Sequence, residues 1–384
     1  MILTLNVGSS SIKFALYQDD LVERVRGGVD QIAGPQPEVR FSVDGGARTT
    51  ATLPAGDHAA LIAATLDLVR VQAPGAAIDA VGHRIVHGGA DFVAPCILNE
   101  QALVALAKLE PLAPLHQPHN LAGVRAAQAL FPAAIQVGCF DTSFHRGQPR
   151  LHDLFALPRA YFDAGVRRYG FHGLSYEYIA GALAKDFPAE ASGRCVLAHL
   201  GSGASMCALN AGRSVGSTMG FSALDGMPMG ARCGRIDPGV LLWMMREQGM
   251  DADAIEAVLY KESGLKGLSG LSGDMRALEA AQTPEAAEAI AYFVMCAQRE
   301  IGGLTALLGG LDAIVFTGGI GENAVRARAA ICEGLRWLGL ELDPARNAAH
   351  GPRITGDSSR VAALVIPTNE EWMIARHTQS LAKL

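Results

Sequence analysis

An apolar run, a glycine-containing turn and a second apolar run occur twice in this chain, about half its length apart. The first instance is ILTLNV, GSSS and IKFALY, from Ile2 to Tyr17; the second is CVLAHL, GSGA and SMCALN, from Cys195 to Asn210. Short apolar runs joined by a Gly-Ser turn read as β-hairpins, and one design recurring half a chain later predicts two related lobes. The length of 384 residues agrees, since an average domain takes roughly 150. A third glycine cluster, AIVFTGGIG from Ala313, instead leads from a strand through glycines into a helix expected over Asn323–Leu338.

Helical patterns cover Ala59–Val71, Glu100–Glu110, Leu174–Asp186, Pro238–Gly249 and Pro284–Leu308. The last is entered through Thr283 as N-cap, with Pro284 at the first helical position. Strands at Ala80–Val86, Ala134–Phe140 and Arg360–Ile366 alternate with them, which predicts an α/β fold. Polar turns at Phe144–Arg150 mark the boundary between a first lobe, 1–145, and a second, 146–370. The C-terminal helix 371–384 is expected to rejoin the first lobe.

Composition narrows the partners. With 49% hydrophobic and 18% charged residues the chain has the material for a large core and is not disordered. A net charge of −6 offers no general attraction to nucleic acid or an anionic bilayer, so any anion must be held by a local site. Seven cysteines without a C-x-x-C pair suit a reducing compartment. No apolar stretch reaches the roughly 18 residues of a membrane span, and a cytoplasmic location is expected.

Several clusters can carry chemistry. NVGSSSIK, from Asn6 to Lys13, gathers backbone N–H groups, the hydroxyls of Ser9, Ser10 and Ser11 and the Lys13 ammonium around a tight turn, as a phosphate requires; a plain hairpin turn with a surface lysine is the alternative. GHRIVHGG sets Arg84 at the end of a strand, aimed at a substrate or transferring anion. His83 and His87 have a zinc-like spacing, but on a helix rather than a strand. PLAPLHQPHN reads as a proline-stiffened loop holding His116 and His119, and FDTSFH ends a strand with Asp141 and His145. The ordinary roles there are Asp141 capping the backbone and His145 half exposed.

Arg168, His172, Arg232, Arg235, Asp237, Glu370 and Glu371 stand among turn-forming residues. They make either an anion site with a cation partner or a solvated salt-bridge network. Gly319, Gly321 and Ala324, with Glu341 about 20 residues beyond, satisfy a dinucleotide fingerprint and would make a nicotinamide or flavin enzyme. A Ser-His-Asp hydrolase would need a G-x-S-x-G elbow, which the sequence lacks.

In their order along the chain, NVGSSSIKF, GHRIVHGG, PLAPLHQPHNL, FDTSFH, RRYGFHG, HLGSGAS, MGARCGRIDPG, FTGGIGEN and IPTNEE resemble the motifs of the acetate kinase family. The resemblance runs from Asn6 to Glu371 and places the chain in the superfamily of acetate and sugar kinases, heat-shock ATPases and actin. It implies two actin-like, ribonuclease H-like lobes with the active site in the cleft between them. The implied activity is reversible, ATP-dependent phosphorylation of a short carboxylate, acetate or propionate, to an acyl phosphate plus ADP by direct in-line transfer.

The same resemblance implies Mg²⁺ or Mn²⁺ arranged by Asn6 and by Glu370, the latter through water. Ser9, Ser11 and Lys13 would line the first phosphate turn, and Gly201 and Gly203 the second. Asp141 would orient the metal or the attacking carboxylate; Arg84 and Arg232 would be the active-site arginines, His172 the group near the γ-phosphate, and His116 and His199 further active-site histidines. Gly318, Gly319, Gly321, Glu322 and Asn323 would form the adenosine-side loop. Val86, Leu115, Phe171 and position 223 would make the acyl pocket, and the second lobe a homodimer contact. The sequence departs from the family pattern at Ser222-Ala223-Leu224-Asp225-Gly226, where Thr-Pro-Leu-Glu-Gly is usual; loss of the proline ring is expected to widen the pocket. Gln117, His119 and Ser202 are further departures. A non-catalytic actin-like nucleotide-binding protein is the rival reading, and the joint presence of Arg84, Asp141, His172, Arg232 and Glu370 argues against it.

Overall fold

The computed structural model describes residues 1–8, 11–30, 37–54, 56–72, 75 and 77–384. Two compact units emerge: Met1–Arg146 together with Asn369–Leu384, and Gly147–Thr368. In the first, strands β1 Ile2–Val7, β2 Ser11–Tyr17, β3 Glu23–Asp30, β4 Glu38–Val43, β5 Thr49–Thr52, β6 Ala80–Ile85, β7 Cys96–Ile97 and β8 Ile135–Phe140 form one sheet in the order β5-β4-β3-β2-β1-β6-β8-β7. The hairpin β1–β2 is antiparallel, whereas β1–β6 and β6–β8 are parallel. Alternation along β1 and β2 turns Leu3, Leu5, Val7, Ile12, Phe14 and Leu16 into a core shared with Leu61, Ile62, Leu66 and Val69 of helix α1, His58–Gln72. Helices α2, Glu100–Ala107, and α3, Gln117–Leu130, complete this unit's middle section.

The second unit carries β9 Arg194–Leu200, β10 Ala204–Asn210, β11 Arg213–Ser217, β12 Ala313–Thr317 and β13 Ala362–Val365, in the order β11-β10-β9-β12-β13. Here too two antiparallel pairs are followed by two parallel ones. The run β3-β2-β1-β6-β8 of the first sheet therefore has the same order and sense as the whole second sheet, as the repeated hairpin predicts for two related lobes. Its helices include α4 Gly173–Asp186, α5 Pro238–Glu247, α6 Pro284–Leu308, α7 Gly318–Asn323 and α8 Val325–Glu333. Helix α6 starts as its sequence predicts: the Thr283 hydroxyl accepts from Ala286 N–H, Pro284 opens the helix, and Gly309 closes it in a left-handed conformation.

The chain then returns to the first unit as α9, Glu370–Ala382. Gly82 on β6 makes this possible, because a Cβ there would lie 2.2 Å from Thr378 Oγ1 and 2.6 Å from Ile374 Cγ2 of α9. On the same side Ile2, Ala15 and Tyr17 pack with Ala375 and Trp372.

Two expectations change. The third glycine cluster is itself a helix, α7, and the helix expected over Asn323–Leu338 is divided into α8 and a short 3₁₀ turn, Arg336–Leu338. The stiff loop around His116 ends at that residue; Gln117 begins α3, since Pro118 is tolerated in a first helical turn.

Candidate active site

Parallel pairing of β1, β6 and β8 brings their carboxyl ends to one edge of the first sheet, the usual ligand edge of such sheets. Asn6, Arg84 and Asp141 all arrive there. Arg84 Nε and Nη2 donate to the Asp141 carboxylate at 3.0 and 2.6 Å, and Nη1 donates to Asn6 Oδ1 at 3.4 Å. The Asp141 side chain is 2% exposed and that of Arg84 19%. Burial pushes the Asp141 carboxyl up, the Arg84 guanidinium opposes this, and the neighbouring Glu370 carboxylate adds to the upward push. Asp141 is thus not a backbone cap but the counter-ion that orients Arg84, and Glu370 at the start of α9 lies in the field of both charges.

The surroundings fix these groups through the backbone. Asn120 on α3 accepts from Val86 N–H at 2.9 Å and donates to Val7 O at 2.7 Å, tying the ends of β6 and β1 together. Gln117 accepts from His87 N–H and donates to His87 O. His83 is buried against Gln136 at 2.7 Å, and burial lowers it to about 4; burial and Arg146 lower His87 likewise to about 4. Among the described residues no group of three or more His, Cys, Asp or Glu could cage a metal, and these two histidines are core groups. His145 is fully buried, against the expectation of half exposure. Lys13 stands directly opposite Asn6 on β2, and the turn closes through Gly8 N–H to Ser11 O at 2.8 Å. Ser9 lies outside the described residues. Of the residues expected to make an acyl pocket, Val86 and Leu115 belong to this unit, with His116 at the N-cap of α3.

In the second unit His172 precedes α4 in a left-handed conformation, φ 58°, uncommon for residues other than glycine. Its Nδ1 pairs with Ser205 Oγ at 2.8 Å, and its ring stacks on His199 with centroids 4.3 Å apart. His199 Nδ1 pairs in turn with Ser175 Oγ at 2.8 Å. Gly203 is where these groups meet Arg232: a Cβ at this position would lie 3.1 Å from Arg232 Nη2 and 3.3 Å from His172 Nε2. Arg232 Nη1 donates to Ala223 O at 2.8 Å, and Gly230 N–H to Ser202 O at 3.0 Å joins the arginine loop to the Gly201–Gly203 turn. Phe171 is buried beside His172 in the chain.

The other candidates separate from this cluster. Arg168 pairs with Asp225 at 2.8 Å, Arg235 with Glu300 at 3.4 Å, and Asp237 caps α5. For Arg168 and Arg235 the salt-bridge reading holds. Helix α7 begins near the Gly201 turn, since a Cβ on Gly201 would be 3.7 Å from Gly319 N. Glu322 turns back on its own helix, accepting from Gly318 N–H at 2.9 Å and Thr368 N–H at 3.2 Å. Asn323 donates to Gly319 O. Glu341 accepts from Ser358 Oγ, so the ribose-binding acid of a dinucleotide fold has another task here.

Sequence reasoning missed Asn120, Ser205, Arg328 and Tyr260. Fully buried Arg328 donates to Gly321 O at 2.9 Å, Glu322 O at 2.8 Å and Asn347 Oδ1 at 2.9 Å, holding the carbonyl end of α7. Tyr260, on a π-helical turn Val258–Glu262, lies near Ser222, the neighbour of Ala223, and in the field of Arg232; burial raises its phenol. Asn120 and Ser205 lie inside the motifs PLAPLHQPHNL and HLGSGAS; Arg328 and Tyr260 carried no local signal.

Residues 1–376 match the Acetokinase family. The chain is 50% identical to an acetate kinase of Methylocella silvestris, over 99% of this chain and 97% of that protein. A solved propionate kinase from Francisella tularensis superposes with a TM-score of 0.93 at 35% identity, and the Porphyromonas gingivalis acetate kinase with 0.89 at 33% identity, each covering 99% of both chains.

Proposed function

The chain belongs to the Acetokinase family, and on that premise we propose that it transfers the γ-phosphoryl group of ATP to acetate, giving acetyl phosphate and ADP, and runs the reverse reaction. The observation that carries this reading is the Arg84–Asp141 pair at the strand ends of one unit, with Arg232 and His172 converging on Gly203 in the other. A carboxylate is already ionised at neutral pH, so the reaction needs no general base; it needs neutralisation of two approaching anions and their in-line alignment. Arg84, held by Asp141, binds the acceptor carboxylate. Arg232 and His172 donate to the transferring phosphoryl oxygens, with Lys13, Ser11 and the Gly201–Gly203 turn serving the phosphate chain and α7 the adenosine side.

The amide oxygen of Asn6 and the carboxylate of Glu370 are hard donors that fit Mg²⁺ or Mn²⁺. When bound, such an ion supplies charge neutralisation to the nucleotide phosphates. A second reading, with propionate as a rival acceptor, is favoured by Ala223, whose methyl replaces the ring of the family's usual proline. Hydroxylamine trapping with ATP, Mg²⁺ and a series of short acids tests both. Hydroxamate from acetate and propionate is expected, and its absence with every acid overturns the assignment.

No helix among the described residues is long and apolar enough to cross a membrane, and all seven cysteines are unbridged; both support a cytoplasmic enzyme. Helix α5 has no buried residue, and it exposes Leu242 by 48%, Trp243 by 53% and Met245 by 47%. An apolar face of this kind on a folded unit marks an interface, and a second copy of the chain is the proposed occupant. Light scattering should give a dimer mass for the wild type and a monomer mass for Trp243→Glu; a wild-type monomer would exclude this contact.

A further inference from the structure

Two adjacent carboxylates, Glu370 and Glu371, open α9, and Arg84 lies in the field of both, more strongly in that of Glu370. Successive helical side chains diverge by about 100°, so each can face a different neighbour. Glu371 faces Arg26. Arg26 Nη1 donates to Glu371 Oε2 at 3.1 Å, while its Nη2 donates to Asn369 Oδ1 at 2.9 Å and Tyr17 OH at 3.3 Å, and its Nε to Glu23 Oε2 at 2.8 Å. Asn369 Oδ1 also accepts from Trp372 N–H as the N-cap of α9. Arg26 pairs across the sheet with Ala15, which packs against α9 through Ala375. One guanidinium thus grips both the cap of the helix and one of its two leading acids.

Resting on the phosphotransferase reading, we propose that Arg26 is a positioning residue that assigns the two acids. By holding Glu371 it keeps that carboxylate off Arg84 and leaves Glu370 as the acid that serves the site. Without Arg26, a partly buried carboxylate loses its cation, and the other guanidinium that feels its charge, Arg84, is the one proposed for the acceptor. Glu371 then competes with the substrate carboxylate for the same donors.

The test is a double-mutant cycle of Arg26→Gln and Glu371→Gln with acetate kinetics, melting temperature and a crystal structure of Arg26→Gln. Arg26→Gln should raise KM for acetate about tenfold, as expected for competition by one charged hydrogen bond, with a smaller change in kcat. Glu371→Gln alone should stay within about twofold, and the double variant should recover most of the lost KM, because the competitor is gone. A merely structural Arg26 predicts the opposite: the second substitution adds to the damage. The assignment is overturned if the single variant keeps its KM, if the double variant does not recover, or if Glu371 stays away from Arg84 in the Arg26→Gln structure. Wild-type hydroxamate formation in the same assay keeps failure of this assignment distinct from failure of the phosphotransferase reading.

Discussion

The two sheets share a strand order but hold their arginines in different ways. In the first unit Arg84 is locked by a buried carboxylate, with two donors on Asp141 and a third on Asn6. In the second, Arg232 is steered by the Ala223 carbonyl, and the backbone around it is pinned by Gly230 N–H to Ser202 O and by Cys233 N–H to Leu259 O. The Asp141 carboxylate orients Arg84 and offsets its charge as well, whereas the Ala223 carbonyl orients Arg232 through a dipole. The contrast suits the two anions that the proposed reaction would bring to these arginines. A carboxylate acceptor carries one charge and has to be released toward the phosphorus as a nucleophile; a transferring phosphoryl group spreads more charge over several oxygens.

The comparison breaks most readily at Asp141. Replacing it by Asn leaves a buried guanidinium without its counter-ion, which costs about 3–5 kcal/mol when a buried pair loses one partner. Denaturant unfolding should register that loss, and turnover should fall with it. An Asp141→Asn protein of wild-type stability would show that the pair is not buried in the functional sense. Arg232→Ala sharpens the other side: turnover should fall by about 10³-fold, the scale of an arginine acting on a transferring phosphoryl group, with unfolding stability nearly unmoved. If Arg232→Ala destabilises as much as Asp141→Asn, the proposed difference between the two arginines fails. The smallest effect is expected at Ala223→Pro. Restoring the ring should lower kcat/KM for propionate relative to acetate by about fourfold, the equivalent of one methylene at about 0.8 kcal/mol. An unchanged ratio would mean that neighbouring groups such as Tyr260, which lies near Ser222, already close the wall.

The repeated hairpins, the strand–helix alternation and the caps of α6 were legible because each is set by local chemistry: side-chain alternation, a glycine turn, a threonine followed by proline. The motif residues were legible one by one for the same reason. What local pattern could not give was partnership. Arg84 meets Asp141 because β1, β6 and β8 pair in parallel register, and nothing within GHRIVHGG or FDTSFH states that register. Gly82 reads as part of an arginine motif, yet its missing side chain admits α9 from the far end of the chain. His83 and His145 read as candidate ligands and half-exposed turn groups but are interior, since burial depends on what packs over a strand. Sequence by itself determined the elements, the two-lobe plan and the residue types able to handle anions. Tertiary structure decided which carboxylate each arginine holds, because hydrogen bonds and ion pairs form between groups that only long-range packing brings within 3 Å.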